Sequence, residues 1–261
     1  MQKKKIISTY LSLANYVADE IAIEIRKNYK NLNIQSYIKN SSYQIVTNLD
    51  LKIEKIVIKL IHSKFPDHNI IGEELGNIDK NSDFTWIIDP IDGTKAYISG
   101  IPVFTFLLSL KYRNDYLLGL VDQPILNERF WNFDNKAYLN NKVIKVRKFN
   151  NTSSTIIAVT DPIMFKNYSS LNKKLFNRFH FIRWGTDALG YMRCAEGIID
   201  AVIERDIKIW DIAAIIPIIR ASGGIITTWD NKLPGTNDTV IAISVRDTLL
   251  NFLTFIILLF K

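Results

Sequence analysis

The chain has 261 residues, 48% of them hydrophobic, and carries a formal net charge of +7. This size suits one large domain or two tightly joined halves, and the apolar content excludes a disordered or fibrous protein. The lysines are scattered and form no stripe interleaved with aromatic residues. The charge therefore predicts a solvated basic surface and argues against a nucleic-acid partner.

Cysteine content and the two ends of the chain indicate the compartment. Cys194 is the only cysteine, which excludes an intrachain disulfide and favours a reducing location. Polar residues interrupt the N-terminal apolar stretch, unlike the apolar region of a signal peptide. The apolar segment Leu249–Phe260 is about half a membrane span long, so it predicts a buried final helix. We expect a cytoplasmic protein without membrane contact.

The first part of the chain predicts two helices followed by strands. Apolar residues at helical spacing predict helices over 6–29 and about 49–64, the second ended by Pro66. Aromatic and β-branched residues then predict four strands, at Phe84–Ile88, Phe104–Leu110, Tyr116–Val121 and Arg129–Phe133.

After about residue 150, predicted strands alternate with predicted helices. The strands are Thr155–Thr160, His180–Arg183, Ala201–Glu204 and Gly224–Thr228, and the helices are 163–177, 187–197 and 211–222. Such alternation implies βαβ units and an α/β fold. We therefore expect an α+β N-terminal half over 1–150 and an α/β C-terminal half over 151–261.

The most informative stretch is Trp86-Ile-Ile-Asp89-Pro-Ile-Asp92-Gly-Thr94. An apolar strand runs into a turn that carries two carboxylates, with Pro90 fixing one φ angle and Gly93 permitting a sharp turn. Both acids can converge on one point, as Mg²⁺ requires of its oxygen ligands. If a helix begins near Thr94, its N–H groups can hold a phosphate. The whole motif favours a metal site over a plain helix cap.

Three other acidic positions are ambiguous when taken singly. Glu73 follows a short apolar run and Gly72, and acidic pairs such as Glu73-Glu74 are common on surfaces. Asp211 follows Trp210 and could simply cap the predicted helix 211–222. Asp50 could likewise cap the second helix. Their order and context, taken together, favour function.

These motifs give the chain a resemblance to the inositol monophosphatase superfamily. The matching pieces are Gly72-Glu73-Glu74, the Asp89–Thr94 motif, and Trp210-Asp211-Ile-Ala-Ala214 before Gly223-Gly224, in the family's order and spacing over roughly residues 6–250. The resemblance implies a layered α-β-α-β-α sandwich, usually in homodimers. It also implies a Mg²⁺-dependent phosphatase with several ions, on the order of two or three per active site.

The resemblance assigns roles to the matched positions. Mg²⁺ would be held by Glu73, Asp89, Asp92, Asp211 and the Ile91 carbonyl. Asp50 and Thr94 would orient and activate the attacking water, with Glu73 also in the catalytic set. Gly93 and Thr94 would hold phosphate, and Lys39 matches the family's loop lysine near the metals. Water attacks directly, so no phosphoenzyme is expected.

Within the superfamily the chain looks most like the histidinol-phosphatase branch. The markers are the stretches Asp92–Pro102, Asp122–Trp131 and Arg183–Tyr191, although Thr186 and Ala188 depart from that branch. Substrate contacts are expected from the metal-site residues Glu73, Ile91, Asp92, Gly93, Thr94 and Asp211 together with Arg183, Gly185, Thr186, Asp187 and Glu204.

Charge offers an independent argument about the substrate. Histidinol phosphate carries an ammonium and an imidazole, so the acids Asp187 and Glu204 would favour it over inositol phosphate, which carries only hydroxyls. Asp187 is equally placed to cap a helix. The alternatives are an inositol-1-monophosphatase, a broad-specificity sugar or nucleotide phosphatase, or a superfamily member with an added RNA- or transcription-binding role.

Overall fold

In a computed structural model of the chain, residues 2–31, 36–39, 44–148, 155–165 and 181–243 are described. The N-terminal part holds helices α1 (Gln2–Asn28), α2 (Asn48–Lys64) and α3 (Thr94–Ile98). Its strands are β1 (Ser36–Lys39), β2 (Gln44–Thr47), β3 (Asn69–Gly72), β4 (Gly76–Ile78), β5 (Phe84–Asp92), β6 (Thr105–Tyr112), β7 (Asp115–Gln123), β8 (Glu128–Phe133), β9 (Lys136–Leu139) and β10 (Lys142–Ile144).

The C-terminal part holds helices α4 (Asp187–Ala195), α5 (Ile209–Ala213) and α6 (Ile215–Ala221), with a 3₁₀ turn at Pro162–Phe165. Its strands are β11 (Ile156–Val159), β12 (Phe181–Trp184), β13 (Ala201–Ile207), β14 (Ile225–Thr227) and β15 (Asp238–Ile243). The expected boundary near residue 150 falls outside the described ranges and stays a prediction.

The described strands form one small and two large sheets. β1 pairs with β2, eight strands follow the order β10-β9-β8-β7-β6-β5-β3-β4, and five follow the order β12-β11-β13-β15-β14. The eight-stranded sheet is antiparallel except where β3 runs parallel to β5. In the five-stranded sheet, β11 is parallel to β12 and β13, whereas β15 is antiparallel to β13 and β14.

Two apolar cores lie on opposite faces of the large sheet. Alternation along β6 sends Phe106, Leu108 and Leu110 to the core shared with α1 and α2, and Leu107 to the core shared with α4 and α6. Helices α4 and α6 also contact the five-stranded sheet. The predicted layered α/β fold is confirmed, and the predicted helix near the C-terminus lies outside the described residues.

Several predicted boundaries need correction. The helix expected over 211–222 begins earlier, at Ile209, and breaks at Ala214 into α5 and α6. Pro217 accounts for the break, because its ring has no N–H and would clash with the carbonyl of Ala213 in a continuous helix. The helix expected over 163–177 starts as the 3₁₀ turn, and its remainder lies outside the described residues. β13 extends past Glu204 to Ile207.

Candidate metal centre

Three carboxylates converge where β5 ends. Asp89 and Asp92 lie at the end of β5, and Asp211 comes from α5. One carboxylate oxygen from each of the three lies within 4.8 Å of the other two. Asp89 is buried, whereas Asp92 and Asp211 are half-buried.

Contacts around the break between α5 and α6 hold this segment against the large sheet. The Ser109 hydroxyl on β6 lies 3.0 Å from the Ala213 carbonyl, and the Ala214 carbonyl packs directly on Gly119 of β7, where a Cβ would overlap it. The Lys208 N–H also donates to the Asp211 carboxylate at 2.6 Å. Asp211 therefore stabilises the start of α5 through this hydrogen bond, and its carboxylate also faces the cluster.

Glu73 joins the cluster from the turn between β3 and β4. Its N–H donates to the Ile88 carbonyl of β5 at 3.3 Å, which holds the turn against the strand that carries Asp89. The carboxyl groups of Glu73 and Asp89 lie close enough to affect each other's pKa. Two carboxyl groups this close are stable only if one is protonated and donates a hydrogen bond or if a cation lies between them.

Burial and mutual repulsion dominate the electrostatics. Desolvation is the largest cause of the raised pKa of Glu73, and repulsion by Asp211 is the next. Desolvation followed by repulsion from neighbouring carboxylates also raises the pKa values of Asp89 and Asp92 well above their usual range. Burial raises the pKa of Asp211 as well. At neutral pH this arrangement is costly without a compensating cation.

The residues fit a magnesium ion. The Oδ1 atom of Asp89 is buried and has no hydrogen-bond partner among the described residues, although such atoms are normally satisfied. A divalent cation would complete the bonding of this oxygen and relieve the repulsion between the acids. Oxygen-only donors at this spacing suit a hard cation such as Mg²⁺.

The turn after Asp92 has a constrained backbone. Gly93 has φ of 81°, and a Cβ there would lie 2.9 Å from Asp187 Oδ2, so both the conformation and the space require glycine. Helix α3 then begins at Thr94, as the sequence predicts. The Thr94 hydroxyl donates to the Ile91 carbonyl at 3.1 Å, so these two groups, both assigned to the site, lie together.

Asp50 lies in the first turn of α2, beside the cluster. Its carboxylate accepts hydrogen bonds from the Thr47 N–H at 2.9 Å and from the Thr47 hydroxyl. The N-cap of α2 is therefore Thr47, and Asp50, which the sequence suggested as the cap, is its partner in a capping box. Its charge also contributes to the raised pKa of Glu73. Burial is the main cause of the pKa of Asp50 rising to about 6. The described hydrogen bonds of Asp50 and Thr94 lead to Thr47 and Ile91, and a direct pair between them stays a prediction.

Asp187 packs against the turn at Gly93. It is the first residue of α4, after Thr186, with φ of 45°. The next N–H, that of Ala188, donates to Asp92 Oδ2 at 2.7 Å and so fixes α4 against the metal ligands. Burial raises the pKa of Asp187, Lys95 opposes that rise, and Asp161 adds to it.

Glu204 is buried on β13 with both oxygens engaged. The Tyr191 hydroxyl donates to Oε2 at 2.8 Å, and the Thr160 hydroxyl donates to Oε1. Burial, partly offset by these two hydrogen bonds, raises the pKa of Glu204 to about 7. Glu204 also contributes to the raised pKa of Asp92, which places it near the metal ligands.

The other predicted substrate residues vary in position. Arg183 is exposed on β12. Gly185 is exposed with φ of 70°, and its N–H lies 2.9 Å from the Thr160 carbonyl. The Thr186 hydroxyl is buried and has no hydrogen-bond partner among the described residues. Lys39 lies on β1, and its side chain is outside the described set.

Sequence reasoning missed three charged residues near the site. Lys95 forms an ion pair with Asp161 at 3.1 Å, across the two halves of the chain. No pattern in the sequence predicts that pairing. Glu54 is buried on α2, four residues after Asp50. The sequence could have indicated Glu54, because this acid lies on the face of the helix that also carries Ile53, Val57 and Ile61.

No helix in the described ranges combines the length and apolar character needed to cross a membrane.

Curated relatives share most of this chain. It is 34% identical over 235 residues to "Bifunctional phosphatase IMPL2, chloroplastic" of Arabidopsis thaliana, with 87% of this chain and 66% of that protein aligned. It is 32% identical over 227 residues to "Nus factor SuhB" of Haemophilus influenzae, covering 84% of this chain and 85% of that one. The chain thus spans about two thirds of the first relative and most of the second.

Solved structures share the fold and the family signature. An inositol monophosphatase from Zymomonas mobilis superposes with a TM-score of 0.82 at 26% identity, covering 95% of this chain and 97% of that one. The model of the inositol monophosphatase family matches residues 3–251. A match of that extent, together with the clustered acids of its motifs, shows that this chain belongs to the inositol monophosphatase family.

Proposed function

We propose that the protein is a Mg²⁺-dependent phosphate monoester hydrolase acting on histidinol phosphate. The observation that carries the choice of substrate is the Asp187 carboxylate, which lies beside the Gly93 turn. The two negative charges of Asp161 and Asp187 face the one positive charge of Lys95, so this part of the site has a net negative charge. A substrate ammonium or imidazolium would neutralise that surplus, whereas a hydroxyl of inositol phosphate would not.

The acids of the cluster account for the chemistry. Glu73, Asp89, Asp92, Asp211 and the Ile91 carbonyl would hold the metal. Bound Mg²⁺ would supply neutralisation of the phosphate charge and a lowered pKa for a coordinated water. Asp50, with a pKa of about 6, can accept a proton from water near neutral pH. Gly93 and Thr94 would orient the phosphate, and water would attack phosphorus directly.

The metal role is tested with Asp89→Asn. The change removes one charge at constant shape, and Mg²⁺-dependent phosphate release should fall by at least ~10³-fold while the circular dichroism spectrum is unchanged. Asp200→Asn is the matched control, since Asp200 is also a buried acid but pairs with Arg147 away from the cluster. Retained activity in Asp89→Asn would refute the metal assignment.

The substrate is tested by comparing kcat/KM for histidinol phosphate and inositol 1-phosphate. Asp187→Asn is the sharper variant, because Asn tolerates the positive φ as well as Asp does and so removes charge without backbone strain. The ratio of the two kcat/KM values should fall ~10- to 100-fold, the worth of a charged hydrogen bond. Preference of the wild type for inositol 1-phosphate would overturn the choice of substrate and favour the inositol-monophosphatase alternative.

A second candidate function is RNA or transcription-factor binding. The 32% identity to a protein named as a Nus factor favours it, and the net charge of +7 would permit contact with RNA. A gel-shift assay with RNA at rising salt discriminates, because phosphate contacts weaken steeply as salt increases. We also propose a cytoplasmic homodimer, as the family resemblance implies, which light scattering after gel filtration would test.

A further inference from the structure

Glu54 is a fully buried acid that the proposed chemistry does not use. It lies in the middle of α2, with 0% of its surface exposed, among Ile53 and Val57 of the apolar core. A carboxylate is costly to bury unless its oxygens are hydrogen-bonded. Its partners therefore indicate what the burial achieves.

Those partners are the backbone of the Glu73 turn. Glu54 Oε2 accepts the N–H of Glu74 and Oε1 accepts the N–H of Leu75, each at 2.8 Å. Gly72 completes the fit, because a Cβ at that position would overlap Oε1 of Glu54. The carboxylate thus fills the space that a side chain before Glu73 would occupy and satisfies two N–H groups after it.

Glu73 is consequently anchored on both sides. Before the turn, its own N–H donates to the Ile88 carbonyl of β5, and after the turn the next two N–H groups donate to Glu54. Its carboxyl is thereby kept beside Asp89 in spite of their mutual repulsion. Hydrogen bonds to a charged acceptor are about twice as strong as neutral ones, so two of them oppose that repulsion effectively.

We infer that Glu54 is a positioning residue of the metal centre, which sets the place of the Glu73 carboxylate and so the affinity for Mg²⁺. This inference rests on the proposed Mg²⁺ dependence. Asp50 precedes Glu54 by four residues and therefore lies on the same face of α2. One rigid helix thus positions the proposed water-orienting acid directly and the Glu73 turn through Glu54.

The test is Glu54→Gln, with Mg²⁺ binding measured by the rise in Tm during Mg²⁺ titration as well as by activity. Glutamine keeps the shape but can accept only one of the two N–H groups and presents its own NH₂ to the other. The Mg²⁺ concentration for half-saturation should rise ~10- to 100-fold, as for other groups that orient metal ligands. At saturating Mg²⁺, kcat should return to within about threefold of the wild type.

Asp200→Asn is again the matched control, since the Asp200 carboxylate also accepts a backbone N–H, that of Ile156 at 2.8 Å. It should lower Tm without moving the Mg²⁺ midpoint. If Glu54→Gln lowers Tm but leaves the Mg²⁺ midpoint unchanged, Glu54 is merely structural and the inference is overturned. If Glu54→Gln does not fold, Glu54→Asp keeps the charge at shorter reach and should shift the midpoint measurably; an unshifted midpoint overturns the inference. If the wild-type protein binds no Mg²⁺, the proposed function itself is refuted.

Discussion

Asp50→Asn should make the stability of the metal-free protein less sensitive to pH. Asp50 is buried, with only 1% of its surface exposed, and burial raises its pKa from 3.8 to about 6. Because the folded state favours the protonated carboxyl, this group's contribution to stability is complete below pH 3.8 and is lost as pH rises through 6. Asparagine accepts the Thr47 N–H in the same place but does not titrate.

The magnitude follows from the shift. About two pKa units at ~1.4 kcal/mol each correspond to ~3 kcal/mol of unfolding free energy lost by the wild type between pH 4 and pH 7. Asp50→Asn does not lose this free energy. Its unfolding free energy relative to that of the wild type should therefore increase by ~3 kcal/mol between pH 4 and pH 7. Phosphatase activity should nevertheless fall sharply, since Asn cannot accept a proton from water.

Urea unfolding in EDTA at pH 4, 5, 6 and 7 measures the difference for the wild type and Asp50→Asn. Asp115→Asn is the control, because it removes one negative charge at an exposed end of β7. A difference between wild type and Asp50→Asn that does not change with pH would refute the reasoning, as would an equal change in the control.

Three further outcomes are expected. Mg²⁺ at ~100 times its Kd at pH 8 should add ~2.7 kcal/mol and raise Tm by ~5–10 °C, and the same Mg²⁺ concentration should raise Tm less at pH 5.5 because the acids must be ionised; calorimetry without such a shift contradicts the metal site. Gly119→Ala should cost ~1–3 kcal/mol in urea unfolding, because its Cβ would overlap the Ala214 carbonyl, and it should weaken Mg²⁺ binding through Asp211. Burial lowers the pKa of His68, whose Nδ1 accepts the Trp86 N–H at 3.1 Å. The contribution of neutral His68 to stability is present above pH 6.5 and is lost as the pH falls. Between pH 7 and pH 5 the wild type should therefore lose more stability than His68→Phe, and equal losses would contradict this prediction.

The clustering of Asp89, Asp92 and Asp211 follows from the sequence because these acids belong to local motifs on regular elements, whereas their role as metal ligands stays a prediction. The motif Asp89–Thr94 combines an apolar strand, a proline and a glycine, and each feature constrains the backbone independently. Helix α2 was predicted equally well, since its helical spacing of apolar residues ends at a proline. The split between α5 and α6 was missed because helical spacing continues through it, although Pro217 signals the break in the same stretch.

Contacts between residues that are far apart in the sequence could not be predicted, because they depend on tertiary packing. Nothing in the local sequence places Lys95 against Asp161, which is 66 residues away, or the Glu204 carboxylate against Thr160, 44 residues away. β15 was missed for a related reason: it completes the last sheet by pairing antiparallel with β13, outside the βαβ alternation that the pattern indicated. Residues that shape substrate choice are therefore the hardest to assign from sequence.

In the proposed function, Asp92 takes part both in hydrolysis and in the choice of substrate. One side of this residue belongs to the acidic cluster, while its Oδ2 accepts the N–H of Ala188, the residue after Asp187. Repulsion from Asp187 is also the largest electrostatic contribution, after burial, to the raised pKa of Asp92. In the proposed function, a change at Asp187 is therefore expected to affect Asp92 as a metal ligand as well as the substrate pocket. Loss of rate with one ester cannot separate the two effects, whereas the ratio of kcat/KM for a cationic and a neutral ester can, because the metal contribution is common to both.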